Sequence, residues 1–305
     1  ENDMNGILRI VLALGALLTL SSAAMAGTIV GSTASADLGG TLFLDSDSGS
    51  TVVSALVADG EYRGQGGATV AGQLGTTASF FGASGTFAKV TGSASWTKTF
   101  DAAAGSTATF DFFIPEAAIG FISNNVPGLI GSYNVDIVFN GASIFDALGE
   151  VQLTGSFPVD PIDFSLDQQG TILSATFADD ILIDGEIGRG YRFGAFSGRL
   201  NLSPVAGVNT IEYSMTTMVD GLIGETGALA SIGDPLNLAQ QPAGANLTVN
   251  GGDSPVVPEP STLVIMLLGG LVMLLYRNRY FDKTNYRGPS LDPTTIEPSQ
   301  TSALV

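Results

Sequence analysis

The chain of 305 residues contains no cysteine and no histidine, and these absences exclude several kinds of chemistry. Without cysteine, the protein has neither disulfide bonds nor a thiolate nucleophile. Without histidine, it holds no Ser-His-Asp triad, and an ordinary zinc site of histidine and cysteine ligands is excluded as well. The motifs G-x-S-x-G and G-x-x-x-x-G-K-[ST] are also missing, which excludes a hydrolase nucleophile elbow and a phosphate-binding loop of these types.

Basic residues are scarce. The chain has 11 lysines and arginines against 29 aspartates and glutamates, so its formal net charge is −18. Nearly all of this excess lies between Gly27 and Pro255. Strong negative charge keeps a protein soluble and opposes binding to nucleic acid or anionic lipid. We therefore expect no nucleic-acid partner, and divalent cations, a hydrated matrix or simple solubility all fit the charge.

A first apolar run lies near the N-terminus. Arg9 precedes the apolar residues 10–20, and small residues follow that end in Ala24-x-Ala26. This order is typical of a secretory signal peptide, which signal peptidase removes, here after Ala26. The run is shorter than the roughly 20 apolar residues that a transmembrane helix needs. Residues 1–26 are therefore predicted to be a signal helix that is separate from the mature protein.

A second apolar run lies near the C-terminus, within residues 257–279. Pro258, Glu259 and Pro260 come first, and the two prolines favour an extended backbone around the glutamate. The uncharged residues 263–276 follow, spanning about 21 Å as a helix against about 30 Å for a hydrocarbon core. Arg277 and Arg279 then form a basic stop that stays on the cytoplasmic side of a membrane. The segment is predicted to be a marginal transmembrane helix suited to brief retention.

The order of proline motif, apolar helix and arginines resembles the PEP-CTERM sorting signal of bacterial surface proteins that exosortases process. The resemblance implies recognition by an exosortase-type enzyme at the inner membrane, removal of the helix, and delivery of the passenger to the cell surface or extracellular matrix. Exopolysaccharide is then an expected partner. An ordinary single-span anchor and a buried helix remain alternatives. Residues 280–305 are polar and contain prolines, which predicts a disordered tail.

The passenger, residues 27–232, is predicted to be all-β. Residues 133–139 and 210–216 alternate apolar and polar side chains, as half-buried antiparallel strands do. Further strands are predicted at residues 52–57, 86–100, 107–114, 171–177 and 191–202. Turns are predicted where aspartate or asparagine precedes glycine, at residues 59–60, 140–141, 184–185, 220–221 and 250–251. Many short strands with frequent turns favour an antiparallel β-sandwich, and specifically a jelly roll.

Three segments of the passenger region have weaker patterns. Residues 143–148 are predicted to form one helical turn. Residues 64–85 are rich in glycine and small side chains and are predicted to be mobile. Residues 233–256 contain several prolines and are predicted to hold the last strand and then a linker, which carries the sorting motif away from the folded body.

Calcium is the cofactor that the acidic residues favour most. Asp45 and Asp47 alternate with serines before Gly49, a spacing that places oxygen side chains at alternate positions before a glycine. The bidentate glutamate of a full EF-hand loop is missing, because Leu56 stands at that position. Asp180 and Asp184 belong to a second acidic cluster. Either cluster is equally consistent with an ordinary solvated turn, and no other cofactor is predicted.

Two functional hypotheses follow. The first is an exported structural protein of the cell surface or extracellular matrix, with no catalytic residue. The alternative is a carbohydrate-binding jelly-roll module or a weak secreted glycan hydrolase. A sugar-stacking platform would draw on Trp96, Tyr62, Tyr133, Tyr191 and Tyr213, although aromatic residues in strands also serve as core.

A glycan hydrolase would need two carboxylates about 5 to 9.5 Å apart. The spacing of the acidic residues in the second half of the passenger selects no such pair among Asp160, Asp163, Asp167, Asp179, Asp180, Asp184 and Glu186. Ser95 and Lys98 match an S-x-x-K pattern, but the companion S-D-N and K-T-G motifs are absent, and the segment is predicted to be a strand.

Overall fold

The computed structural model of the chain describes residues 27–82, 85–123, 128–155, 163–224 and 226–251. Among these residues, no helix has the length and hydropathy of a membrane span. The predicted signal segment and the sorting segment lie outside the described residues, including Ala24, Ala26, Pro258, Glu259, Pro260, Arg277 and Arg279.

The described residues form strands in three antiparallel sheets. The strands are β1 (Gly27–Leu38), β2 (Thr41–Gly49), β3 (Val52–Asp59), β4 (Tyr62–Thr69), β5 (Leu74–Gly82), β6 (Thr86–Ala102), β7 (Thr107–Ile114), β8 (Ala117–Ser123), β9 (Ile130–Phe139), β10 (Ala142–Leu153), β11 (Phe164–Gly170), β12 (Ala175–Ile183), β13 (Glu186–Phe193), β14 (Phe196–Leu202), β15 (Gly207–Ile223), β16 (Thr226–Ile232) and β17 (Ala245–Asn250). Sheet A has the order β11-β10-β9-β15-β6-β1-β2, sheet B the order β12-β13-β8-β16-β5-β4-β3, and sheet C the order β14-β7-β17.

The predicted alternation is confirmed in the centre of sheet A. On β15, Ile211, Tyr213 and Met215 are buried, whereas Glu212 is exposed and Ser214 is half-buried. Strand β15 pairs with β6 on one side and with β9 on the other. Because successive side chains of a strand point to opposite faces, this period of two gives sheet A one apolar face for the core. The prediction of an antiparallel β-sandwich is confirmed at this level.

Sheets A and B approach each other closely where glycines face the interior. A Cβ atom on Gly92 of β6 would lie 2.2 Å from the carbonyl oxygen of Gln65 on β4. A Cβ atom on Gly66 would lie 1.9 Å from the carbonyl oxygen of Ser93. No side chain fits such a gap, so the two backbones pack directly against each other. Glycine is required at these positions because of space, since neither has a positive φ.

The core between sheets A and C is aromatic. Trp96 of β6 stacks on Phe110 of β7, with ring centroids 5.8 Å apart. Phe112, also on β7, packs against Phe145 of β10 at 4.7 Å and against Tyr213 of β15 at 6.1 Å. Each of these rings excludes a large apolar area from water, which makes the cluster a major part of the stabilising core.

Two predictions about the weaker segments were wrong. Residues 143–148 form part of strand β10 and not a helical turn. A β-bulge between Ser143 and Phe145 shifts the pairing with β9 there, and this hides the period of two in the sequence. The segment predicted to be mobile, residues 64–85, contains most of the buried strand β4 and all of β5, since its glycines permit the close sheet contact.

Other element boundaries also differ from the predictions. Residues 191–202 form two strands in different sheets, because β13 ends at Phe193 and β14 begins at Phe196. The Asp220-Gly221 pair lies within β15 and is not a turn. The predicted strands at 52–57, 86–100 and 107–114 and the turns at 59–60, 140–141 and 184–185 are confirmed. In the predicted last-strand and linker segment, a short 3₁₀ helix, Leu238–Gln240, precedes β17.

Candidate functional site

Asp45 and Asp47 lie on the edge strand β2, where their carboxylates serve a structural purpose. Their register partners on β1 are the buried Ala34 and Ser32, so both aspartates share the inward face of sheet A. Asp45 Oδ2 accepts a hydrogen bond of 2.8 Å from the backbone N–H of Leu56 on β3, and Asp47 Oδ2 accepts one of 3.3 Å from Ser54. The two carboxylates thus occupy backbone donors at the edge of sheet B, which is a way to protect an edge strand.

In the second acidic cluster, Asp180 is held in an ion pair and Asp184 lies in a turn. Asp180 forms an ion pair with Arg192 at 3.1 Å. Asp184 takes the first position of the β12–β13 turn with φ of 48°, next to Gly185 with φ of 92°. No group of three or more acidic side chains converges on a common point in the described parts of the chain. The geometry therefore gives the calcium hypothesis no support at these residues.

The aromatic side chains proposed for a sugar-stacking platform belong mainly to the core. Tyr62, Trp96, Tyr133 and Tyr213 are each at most 8% exposed. Tyr191 is half-buried and packs edge-on against Phe177 with ring centroids 5.8 Å apart. Trp96 Nε1 donates to the carbonyl oxygen of Val70 at 3.0 Å. None of the four buried rings presents a face to a ligand, so they form no such platform.

The residues of the catalytic patterns considered for the chain are distributed over sheets A and B. Ser95 and Lys98 are three positions apart on β6 and point to opposite faces of sheet A. Asp167 pairs in register with Glu150 on the outward face of sheet A, whereas Asp180 and Asp184 belong to sheet B or its turns. Asp160 lies outside the described residues. The acidic residues considered for a hydrolase are therefore divided between two sheets.

An open groove of about 620 Å³ lies on the outer face of sheet B. Its floor consists of outward side chains of β4, β5 and β16, among them Gln65, Thr77, Ser79 and Leu229. The turn after β3, the β12–β13 turn and the segment at residues 234–236 form its walls. We call this depression the sheet B groove.

The wall at residues 234–236 is positioned by glycines and by an aspartate. A Cβ atom on Gly75 would lie 2.8 Å from the nitrogen of Pro235, so glycine there lets the wall pack directly on the sheet. Asp234 Oδ1 accepts from the backbone N–H of Leu236 at 2.8 Å, and its Oδ2 accepts from Asn237 Nδ2 at 2.6 Å. This wall is thus a structured turn with local side-chain hydrogen bonds.

Arg63 is the one cationic residue that lines the groove in the described part of the chain. Its guanidinium Nη2 donates a hydrogen bond of 2.7 Å to Gln65 Oε1. Four carboxylates, those of Asp59, Glu61, Asp184 and Asp234, also line the groove. Burial, with a smaller contribution from the charge of Asp59, raises the pKa of Tyr62 above its ordinary value. The groove therefore contains both hydrogen-bond donors and acceptors, with carboxylates in excess.

Outside the groove, the titratable groups with shifted pKa values take part in contacts that stabilise the fold. Arg199 on β14 forms an ion pair with Asp111 on β7 and donates hydrogen bonds to its carboxylate. These hydrogen bonds lower the pKa of the Asp111 carboxyl. Burial raises the pKa of Tyr133 to about 12 and that of Tyr213 well above its ordinary value. Both tyrosines are therefore neutral at physiological pH, as core residues must be.

Sequence reasoning did not identify the sheet B groove. Arg63 and Gln65 are two apart on one strand, but Thr77, Leu229 and Asp234 join them only through the pairing of β4, β5 and β16 and the return of a later segment. The only local signal was an arginine in a chain with few cations, within a glycine-rich stretch.

No protein-family model matches the chain, and none of the curated proteins matches it.

Proposed function

We propose that the chain is an exported protein of the cell surface or extracellular matrix, sorted and processed through residues 257–279. The observation that carries the proposal is that the last strand of the described residues ends upstream of the proline motif. This strand, β17, pairs with β7 from Ala245 to Asn250. The contacts of the chain divide it into two units between Ser254 and Pro255, and every described residue belongs to the first unit. A cut near Glu259 would therefore fall outside every described strand.

In this proposal, signal peptidase removes residues 1–26 and the chain then stays briefly in the inner membrane through its C-terminal helix. An exosortase-type enzyme recognises Pro258, Glu259 and Pro260, while Arg277 and Arg279 hold the far end in the cytoplasm. The released body then joins the surface or a matrix that contains exopolysaccharide. A jelly-roll arrangement of the sandwich is part of the proposal.

The body itself is proposed to have a structural role without catalysis. The proposal is supported by the aromatic and acidic side chains considered for binding, which make contacts within the fold. The tryptophan and three of the tyrosines lie in the core, and Asp45 and Asp47 bind backbone N–H groups of β3. The alternative of a carbohydrate-binding module based on stacked aromatic rings loses its support, since those rings are covered.

Cell fractionation tests the sorting proposal. Replacing Pro258, Glu259 and Pro260 by alanine is expected to retain the protein in the membrane fraction, whereas the unchanged protein reaches the surface or medium. A matched control replaces three prolines of the tail, Pro289, Pro293 and Pro298, and is expected to behave like the unchanged protein. Equal release of the motif variant and the control would exclude the motif as the sorting signal.

A further inference from the structure

The sheet B groove has a free hydrogen-bond donor at its floor. Gln65 is 4% exposed, and its Oε1 accepts the hydrogen bond from Arg63. Its amide nitrogen makes no hydrogen bond with another described residue and remains accessible to solvent. This nitrogen can therefore donate to a ligand. The side chain lines the groove, so a group that enters the groove can accept from it.

Three other charged groups of the groove, Arg63, Glu61 and Asp184, have hydrogen-bonding capacity that no described residue uses. Arg63 forms no ion pair within the described residues, although its guanidinium has donors beyond the one that Gln65 uses. The carboxylates of Glu61 and Asp184 likewise make no hydrogen bond or ion pair with described side chains. The groove thus presents free donors at its floor and free acceptors on its walls.

Apolar surface lies between these polar groups. Leu229 of β16 and Phe81 of β5 are part of the lining, and the hydroxyls of Thr77 and Ser79 stand beside them. A sugar ring matches such a lining. Its C–H faces pack on aliphatic and aromatic side chains, and its hydroxyls both donate to carboxylates and accept from amide and guanidinium groups.

We infer that the sheet B groove binds an uncharged glycan chain. The charge balance opposes an acidic polymer, because four carboxylates face a single guanidinium. The mixture of hydrogen-bond donors, acceptors and apolar surface matches a hydroxyl-rich ligand without charge. In the bound state, sugar hydroxyls accept from Gln65 Nε2 and Arg63 and donate to Glu61 and Asp184. The inference concerns the folded body alone and does not depend on how the chain is sorted.

A polymer fits better than a single sugar because polar side chains also lie on the neighbouring strands beyond the groove, in a row that only Ala118 interrupts. Thr77 pairs in register with Ser231, which pairs with Ala118, and Ala118 pairs with Arg192. Ser231 and Arg192 line a second depression of about 440 Å³ on the same face. With neighbouring strands about 4.8 Å apart, the row from Gln65 to Arg192 crosses four gaps and spans about 19 Å. Several linked sugars can lie along it.

Affinity gel electrophoresis and titration calorimetry of the purified full chain test the inference. The probes are the neutral polymers dextran, galactomannan and xyloglucan, with alginate as the carboxylated comparison. We expect binding to at least one neutral polymer and much weaker binding to alginate. Arg63→Ala and Gln65→Leu are each expected to weaken that binding roughly tenfold or more, since each removes a charged or buried hydrogen-bonding group.

Arg199→Ala is the matched control, because it removes an arginine of sheet C that is paired with Asp111 and lies outside the groove. It is expected to leave glycan binding unchanged. Thermal unfolding shows whether each variant folds, and if Gln65→Leu does not, Arg63→Ala carries the test. Glu61→Gln removes one negative charge and is expected to narrow the preference for neutral polymers over alginate.

Three outcomes would overturn the inference. One is the absence of binding to every neutral polymer of the panel by the folded chain. The second is equal loss, or no loss, in Arg63→Ala and Arg199→Ala, which would place any binding elsewhere. The third is binding of alginate as tight as that of the neutral polymers. None of these results bears on processing at Glu259, which the cell fractionation tests separately.

Discussion

The hydroxyl of Tyr213 donates a hydrogen bond of 2.7 Å to the carbonyl oxygen of Phe113, which joins the centre of sheet A to sheet C inside the core. Tyr133, on the neighbouring strand β9, is buried to nearly the same degree, but its hydroxyl has no hydrogen-bond partner. The two tyrosines are therefore both buried in the apolar core, and they differ in whether the hydroxyl oxygen has a hydrogen-bond partner.

Substituting each tyrosine by phenylalanine is expected to have opposite consequences. Tyr213→Phe removes a buried hydrogen bond and should lower the free energy of unfolding by about 1 kcal/mol. Tyr133→Phe removes an unpaired buried hydroxyl and should leave that free energy unchanged or raise it. Urea denaturation of both variants measures the difference. A larger loss in Tyr133→Phe than in Tyr213→Phe would contradict the hydrogen bonding described for the two residues.

The same tyrosines predict loss of stability in alkali. The pKa of Tyr133 is raised by burial to about 12 in the folded protein, against an ordinary value of about 10. Below pH of about 10, tyrosine is protonated in both states and this contribution to stability is complete. As pH rises from about 10 to about 12, the unfolded chain loses its proton first, so unfolding becomes easier.

Denaturation at a series of alkaline pH values checks this expectation. Tyr133→Phe should show a smaller decline of the free energy of unfolding between pH of about 10 and 12 than the unchanged protein. An identical decline in both proteins would show that Tyr133 does not contribute to it.

Close packing of sheets A and B predicts strong sensitivity at Gly92. Gly92→Ala places a methyl group where the carbonyl oxygen of Gln65 would be 2.2 Å away, so the sheets must separate. We expect the free energy of unfolding to fall by about 1–3 kcal/mol or more. Gly60→Ala is the control, since a Cβ atom there meets nothing within 4 Å. Equal unfolding midpoints for the two variants would contradict the backbone contact.

The edge of sheet B predicts that Asp45 limits self-association through strand β3. Asp45→Ala removes the acceptor for the Leu56 N–H and should cost about 0.5–1.5 kcal/mol of stability. It also exposes the edge of β3, so we expect increased self-association in sedimentation velocity. Glu150 lies on the outward face of sheet A, and its exposed carboxylate accepts no backbone hydrogen bond from the edge of a described strand. Glu150→Ala should therefore change neither the free energy of unfolding nor the degree of self-association.

Calcium provides the contrasting outcome for the same residue. If Asp45 only binds the backbone of β3, adding calcium or a chelator leaves the melting temperature unchanged. A calcium-dependent rise in melting temperature that Asp45→Ala abolishes would show that the carboxylate is a metal ligand instead.

Strands with clean alternation were predictable from the sequence, and the sandwich followed from their number. Residues 210–216 belong to the centre of sheet A, where one face is buried along the whole strand, so burial imposes the period directly. The alternation fails where the structure is irregular. The bulge near Ser143 shifts the register of β10, and a second bulge between Ala178 and Ile181 does the same on β12.

The role of the glycines in β4 and β6 was not predictable because it depends on distant neighbours. Gly66 resembles a loop residue in the sequence, and only the backbone of β6 opposite explains why a side chain is excluded. The sheet B groove has the same origin. The pairing of strands and the return of a later segment place Arg63, Leu229 and Asp234 around one groove. No local sequence pattern predicts this arrangement.

Mass spectrometry of the protein recovered from the cell surface or medium tests the proposed sorting most directly. The proposal predicts a chain that begins at Gly27 and ends upstream of Leu263, with the apolar segment gone and the β body intact. Recovery of a chain that extends beyond Arg279 would contradict it.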